Sequence, residues 1–262
     1  MGPVATTLLS SLGAIVACVI ALWVVSLARR DSSVVDPFWG FGFVIVVWIA
    51  WFLQPVATPR STLFAVLTTC WGLRLSGYLV WRNRGHGEDR RYAAMRAYHG
   101  DRYWWVSLVT VFLLQAIILW FVAFPQQLTI AFGQADPLGW MDAVGILVWL
   151  CGFFFETVGD LQLARFRADP NNAGRVLDTG LWAYTRHPNY FGDTCVWWGF
   201  YLIAVAGGAA WTAGSPLLMT VLLMRVSGVT LLERDIGDRR PDYAAYKLRT
   251  NAFFPGPRRR LK

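Results

Sequence analysis

The chain has 262 residues, 56% of them hydrophobic, with 15 tryptophans and a formal net charge of +8. A soluble domain carries about 45–50% apolar residues, so the composition argues against an ordinary water-soluble protein and points to the membrane. The four cysteines, Cys18, Cys70, Cys151 and Cys195, lie in or beside apolar runs with no paired spacing, which suggests neither a disulfide framework nor a metal site.

In chain order, the apolar runs predict seven spanning helices, over residues 4–28, 34–53, 61–81, 103–124, 139–163, 194–210 and 214–232. About 20 apolar residues are needed to cross the hydrocarbon core, and the sixth run is the shortest. The first run has no basic n-region and is too long for a signal-peptide core, so it reads as a retained helix. Charge tests the count. Arg29 and Arg30 fall in the first loop, Arg82, Arg84, Arg90, Arg91, Arg96 and Arg102 in the third, Arg165, Arg167, Arg175 and Arg186 in the fifth, and nine more basic residues follow Glu233. Only Arg60 falls in an even-numbered loop, while Arg74 and Arg225 lie inside spans. Basic loops mark the cytoplasmic side, so the expected fold is an all-α, seven-helix integral membrane protein with its N-terminus outside and its C-terminus in the cytoplasm. The same distribution accounts for the basic charge without nucleic acid.

Ionisable groups inside spans are costly and face the protein interior or a wet cavity. Asp36 opens the second span, Arg74 lies in the third, Glu156 and Asp160 in the fifth and Arg225 in the seventh. Glu156 and Asp160, four apart, share a helix face, and Arg167 extends that face. Each alone reads equally well as a structural ion pair, and Asp36 in "VVDPF" also suits a helix start. As a set they predict a polar cavity open to the cytosol.

The fifth loop, "RFRADPNNAGRVLDTGLWAYTRHPNY", has four Arg and three Asn and leads into the sixth span. A helix start attracts anions, and the planar guanidinium binds two phosphate oxygens at once. Lipid headgroups would account for scattered arginines but less well for Asn, His and Asp interleaved among them. The loop therefore reads as a pocket for a polar, anionic ligand.

The stretches "VDPFWGFGF", "WGLRLSGYLVWRNRGHGEDRRY", "GDLQLARFR", "GLWAYTRHPNYFGD", "LLERD" and "PDYAAY" together resemble DUF1295 proteins of the steroid 5α-reductase superfamily, from about Asp36 onward. That superfamily also resembles sterol C14/C7 reductases and isoprenylcysteine methyltransferases. The resemblance implies one membrane domain without a Rossmann fold, with residues 1–124 on the substrate side and 139–262 on the cofactor side. It implies NADPH held by Asn83 and Arg84, by Asp160, Arg167 and Arg175, by Trp182, Tyr184, His187, Asn189 and Asp193, and by Arg225, Glu233, Tyr243 and Tyr246. It further implies a carboxylic acid at Asp36, where relatives carry Glu, and a second carbonyl donor in the third span. The position where relatives carry Tyr is Gly72 here, which leaves Arg74 and Tyr78 as the candidates.

The expected activity is NADPH-dependent reduction of a carbon–carbon double bond conjugated to a ketone, with a 3-oxo-Δ4 steroid as the substrate class. The substrate would be a lipophilic small molecule arriving from the bilayer, and the cofactor site would face the cytoplasm, at the inner membrane in a bacterium. The first alternative is an S-adenosylmethionine-dependent methyltransferase acting on prenylcysteine or phospholipid. A non-catalytic sterol or lipid binder or a transporter is the second, although no inverted repeat supports transport.

Overall fold

The structure, a computed structural model, describes residues 2–133, 136–226, 233 and 240–259. Among the described residues every regular element is helical, apart from an isolated bridge between Thr185 and Asn251. Five helices among the described residues are long and apolar enough to cross a membrane: Pro3–Arg29, Ser32–Leu53, Pro59–Asn83, Arg90–Val122 and Trp140–Ala168. They carry large apolar side chains at their surfaces, Leu147 at 66% exposure and Ile117 at 56%, as lipid-facing helices do. The chain is thus all-α with the helices of a multi-pass membrane protein. Residues 227–232 of the predicted seventh span lie outside the described residues, as does "LLERD" apart from Glu233.

The helices are α1 (Pro3–Arg29), α2 (Phe38–Leu53), α3 (Pro59–Asn83), α4 (Arg90–His99), α5 (Tyr103–Ser107), α6 (Leu114–Val122), α7 (Phe124–Phe132), α8 (Trp140–Ala168), α9 (Pro188–Ala206), α10 (Gly214–Val221) and α11 (Tyr243–Arg249). A wide π turn, Leu108–Leu113, joins α5 to α6. Met1–Leu138 with Gly207–Thr212 form one compact unit, and Gly139–Ala206 with Ala213–Lys262 a second.

In the first unit, α1 begins at Pro3, whose missing N–H costs nothing in a first turn. It stops at Arg30, which adopts a left-handed conformation with φ 52°. The α3 start is a reciprocal cap: Thr58 and Ser61 each take the other's backbone N–H. Two glycines let α2 and α3 touch backbone to backbone. A methyl group on Gly40 would lie 2.5 Å from the Gly72 carbonyl oxygen, and one on Gly72 equally close to that of Gly40. This explains the glycine at 72: a tyrosine there has no room. Ser11, Trp120 and Gln127 tie α1, α6 and α7 together, with the Ser11 hydroxyl donating to Gln127 Oε1 at 2.5 Å.

In the second unit α8 and α9 run side by side on glycines at heptad spacing, Gly145, Gly152 and Gly159 against Gly192 and Gly199. A methyl on Gly152 would sit 2.5 Å from both the Gly192 oxygen and the Val196 nitrogen. Small residues of this kind let membrane helices approach closely, where lipid supplies no hydrophobic drive between them. The 29 residues of α8 span about 43 Å, longer than the ~30 Å hydrocarbon core, so one end has the length to reach water. The sixth helix starts at Pro188 rather than at 194. Proline's fixed φ suits a first helical turn, which brings Asn189 and Asp193 into the helix.

Candidate functional site

Each unit carries a polar cluster. In the first, the chain leaves α1 through Asp31 and a 3-10 turn, Ser32–Val35, which ends on Asp36. Asp36 Oδ1 accepts the Tyr92 hydroxyl at 2.6 Å and Oδ2 accepts Arg91 Nη2 at 3.2 Å. The Tyr92 oxygen in turn accepts Gln115 Nε2 at 3.3 Å. Tyr92 and Arg91 come from α4, a helix absent from the sequence reading, which took residues 82–102 as a loop. Asp36 is thus paired with a phenol and a guanidinium from α4. Of the expected α3 donors, Tyr78 lies against Trp81 with the Arg82 guanidinium over its ring at 5.8 Å, and Arg74 shares that helix.

A strap holds α4 in place. Glu88 accepts the Ser32 backbone N–H at 2.8 Å and two bonds from Arg96 at 2.8 and 3.0 Å. The Asp89 N–H donates to Ser33 Oγ, and the Tyr103 hydroxyl donates to Ser32 Oγ at 2.9 Å. Burial raises the Glu88 pKa, but the bonds from Arg96 and Ser32 outweigh it and hold the carboxyl below its ordinary 4.5. A depressed folded pKa means that the strap's contribution is complete above pH 4.5 and is lost as pH falls through the folded value. Glu88→Gln should cost about 1.5–3 kcal/mol at neutral pH, as hydrogen bonds to charged groups do. The melting-temperature gap to wild type should hold from pH 7 to about 4.5 and close below it. A gap constant down to pH 3 would reject the assignment.

Beside this cluster Val19, Val35, Phe38, Trp39, Gln115, Ala116 and Leu119 line a narrow crevice without room for a water molecule. It joins α1, the 3-10 turn, α2 and α6. Gln115 belongs both to this wall and to the Asp36 network.

In the second unit the end of α8, the loop after it and the start of α9 converge. The Asn189 amide donates to buried Asp160 at 3.1 Å. Trp182 donates to the Gly159 carbonyl, and the Tyr246 hydroxyl to the Trp182 carbonyl at 2.6 Å. Arg165 and Arg167, in the last turn of α8, and Arg175 in the loop stand at the surface, as does Tyr184. Asp193 accepts the Trp197 indole N–H. Arg225 lies on the π turn after α10, exposed. Asn83 and Arg84 close α3 in the first unit.

His187 and Glu233 meet each other. Arg186 grips both Glu233 oxygens at 2.8 and 3.2 Å, His187 Nε2 lies 3.0 Å from Oε1, and Lys247 lies 3.5 Å from Oε2. Burial raises the Glu233 pKa, but the hydrogen bonds of His187 and Arg186 override this and hold it well below the carboxylate range. Burial, and then the Glu233 charge, push the Tyr243 hydroxyl up. Arg186 also donates to the Thr250 carbonyl at 2.7 Å, and its own N–H bonds to the Asn251 carbonyl. The Thr185 hydroxyl donates to the Phe253 carbonyl, and Gly256 N–H to that of Tyr184. The tail thus binds the segment before α9 by main-chain bonds. Sequence reasoning missed Arg186 as the partner of Glu233, although opposite charges in two quoted motifs were a usable signal.

The family model of DUF1295, described as a protein of unknown function, matches residues 22–250. The chain belongs to the DUF1295 family. It is also similar to an uncharacterized protein of Schizosaccharomyces pombe, 25% identical over 264 residues, covering 89% of this chain and 75% of the yeast protein. No solved structure matches.

Proposed function

We propose that this protein is a membrane-embedded reductase that uses NADPH to saturate a double bond conjugated to a ketone, with 3-oxo-Δ4 steroids as its substrate class. Seven spans, an outside N-terminus and a cytoplasmic tail belong to the same proposal, supported by the one-sided basic loops. The observation that carries the reading is the end of α8. Arg165 and Arg167 follow the Asp160–Asn189 pair by about 7.5 and 10.5 Å along the helix axis, and Arg175 follows in the loop. Exposed guanidinium groups next to a buried amide–carboxylate pair fit a dinucleotide, which needs phosphate partners at one end and directional hydrogen bonds at the other. S-adenosylmethionine, with a sulfonium and no phosphate, has no use for those arginines. NADPH supplies the hydride when bound. The chain's own part is to hold the phosphates, to set the substrate carbonyl by the Asp36 cluster and to exclude water with its apolar helices.

Mass spectrometry of small molecules released from detergent-purified protein tests this. NADP(H) in near-stoichiometric amount, followed by NADPH-dependent reduction of testosterone or progesterone, supports it. S-adenosylmethionine or its demethylated product overturns it. If nothing is released, titration decides. Wild type should bind NADPH, and Arg167→Ala and Asn189→Ala should each weaken binding, the arginine by about tenfold or more, as expected for a charged hydrogen bond. Unchanged affinity in both variants removes the proposed cofactor site.

A further inference from the structure

We propose that the tail turn at residues 252–256, with Arg258 and Arg259 beside it, is a docking surface for anionic phospholipid headgroups, into which Phe254 inserts its ring. Phe254 is 69% exposed, yet the backbone around it is held. The Asn251 carbonyl accepts the Arg186 N–H and the Phe253 carbonyl accepts the Thr185 hydroxyl. Gly256 N–H donates to the Tyr184 carbonyl, and Arg259 N–H to that of Arg249. A fixed turn therefore presents the ring outward.

The level of that ring follows from α8. Trp140, its first residue, is 74% exposed, as suits an indole at a membrane interface. At 1.5 Å per residue, Phe155 lies about 22 Å along the axis from there and Arg165 about 37 Å, on either side of the end of a ~30 Å hydrocarbon core. Phe155 starts an aromatic ladder. Its ring centroid is 5.1 Å from that of Phe191, in the first turn of α9, and Phe191 is 6.2 Å from Phe254. Two such steps from inside the core bring Phe254 to the level where acyl chains meet headgroups.

Charge selects the kind of lipid. Asp178 lies 3.0 Å from Arg258 and 4.0 Å from Arg249, so two guanidinium groups share one carboxylate. Arg259 donates to the neutral Asn251 amide oxygen at 3.3 Å. The Arg249 and Arg258 side chains are 37% and 41% exposed. An exposed aromatic ring flanked by surplus guanidinium charge has the composition of an interfacial anchor. A zwitterionic layer would seat the ring but offers no net negative charge to the arginines, whereas an anionic layer attracts each cation near its surface about fivefold. The same turn bonds Thr185 and Arg186, next to His187, so a bilayer that holds Phe254 also steadies the tail against the segment before α9.

The test uses full-length protein in lipid nanodiscs and needs no cofactor. With para-fluorophenylalanine at position 254, a spin label carried at the top of the acyl chains should broaden the fluorine signal, and an aqueous gadolinium chelate should leave it sharp. Hydrogen exchange of the tail amides from Thr250 to Arg259 should be about tenfold slower when about one-third of the phosphatidylcholine is replaced by phosphatidylglycerol. Arg259→Gln should cut that ratio to about twofold, the loss of one surface cation. A fluorine signal reached by the chelate and untouched by the lipid label overturns the proposal. So does equal exchange in the two bilayers, or a ratio that Arg259→Gln leaves unchanged. Should that variant fail to fold, the two wild-type measurements decide.

Discussion

Gly152→Leu should leave no folded protein in detergent extracts, while Gly13→Ala should be neutral or slightly stabilising. The two glycines lie in helices of similar length, and only their surroundings differ. A Cβ on Gly13 meets nothing within 4 Å, so alanine there gains helix propensity, by up to about 1 kcal/mol. A Cβ on Gly152 falls 2.5 Å from two backbone atoms of α9, neither of which can turn aside as a flexible side chain would. Alanine must push the helices apart, at a cost of about 1–3 kcal/mol for overpacking. Leucine adds three more carbons to the same gap. Separation here also disturbs Gly145–Gly199 and Gly159–Pro188, which share the seam, and with them the Asn189–Asp160 bond at its end. Thermal unfolding followed by gel filtration would show it. A Gly152→Leu protein that is monodisperse and melts like wild type would refute the backbone-contact seam.

Hydropathy made the long helices legible, because about 20 apolar residues have few other uses. It failed where its signal is weak. α4 is rich in arginine and was taken for a loop. Its helical start rests on Asp89, which accepts the Arg91 N–H, and its docking rests on bonds to residues more than 50 positions earlier. No local pattern announces such pairings, which is why the Tyr92 and Gln115 bonds to the Asp36 cluster were not foreseen. Gly72 was noticed as a departure from the family, but its cause, the Gly40 backbone, needs the helix register. The α9 start was misplaced because Asn189 and Asp193 lower the hydropathy of turns that Pro188 begins. In the second unit Trp182 and Asn189 bond to α8, at Gly159 and Asp160, while His187 turns to Glu233. The surprise is that His187 and Glu233 are joined to each other through the Arg186 grip.

Asp36→Ala should lower the rate of enone reduction by about 10²–10³-fold with NADPH still bound, the range found when one preorganised transition-state donor is lost. The route is indirect. Asp36 fixes the Tyr92 hydroxyl at 2.6 Å, and through it the direction of the Gln115 amide. Without the carboxylate, Tyr92 can turn its hydrogen toward Gln115, and the ordered set of donors around Asp36 is lost. The Arg91 guanidinium meanwhile loses one carboxylate and keeps Asp89, whose oxygen accepts its Nε at 2.9 Å, so the strap survives. Asp36→Asn should fall with alanine, because an amide must offer Tyr92 or Arg91 a donor where each needs an acceptor. Asp36→Glu, which keeps the acceptor on a longer arm, should retain most of the rate. Cofactor affinity should be the same in all three, since the arginines and the Asp160–Asn189 pair belong to α8, α9 and their loop. Turnover by Asp36→Ala at the wild-type rate would remove the cluster from the chemistry. Equal loss in Asp36→Glu and Asp36→Ala would mean that the side chain's length matters more than its charge.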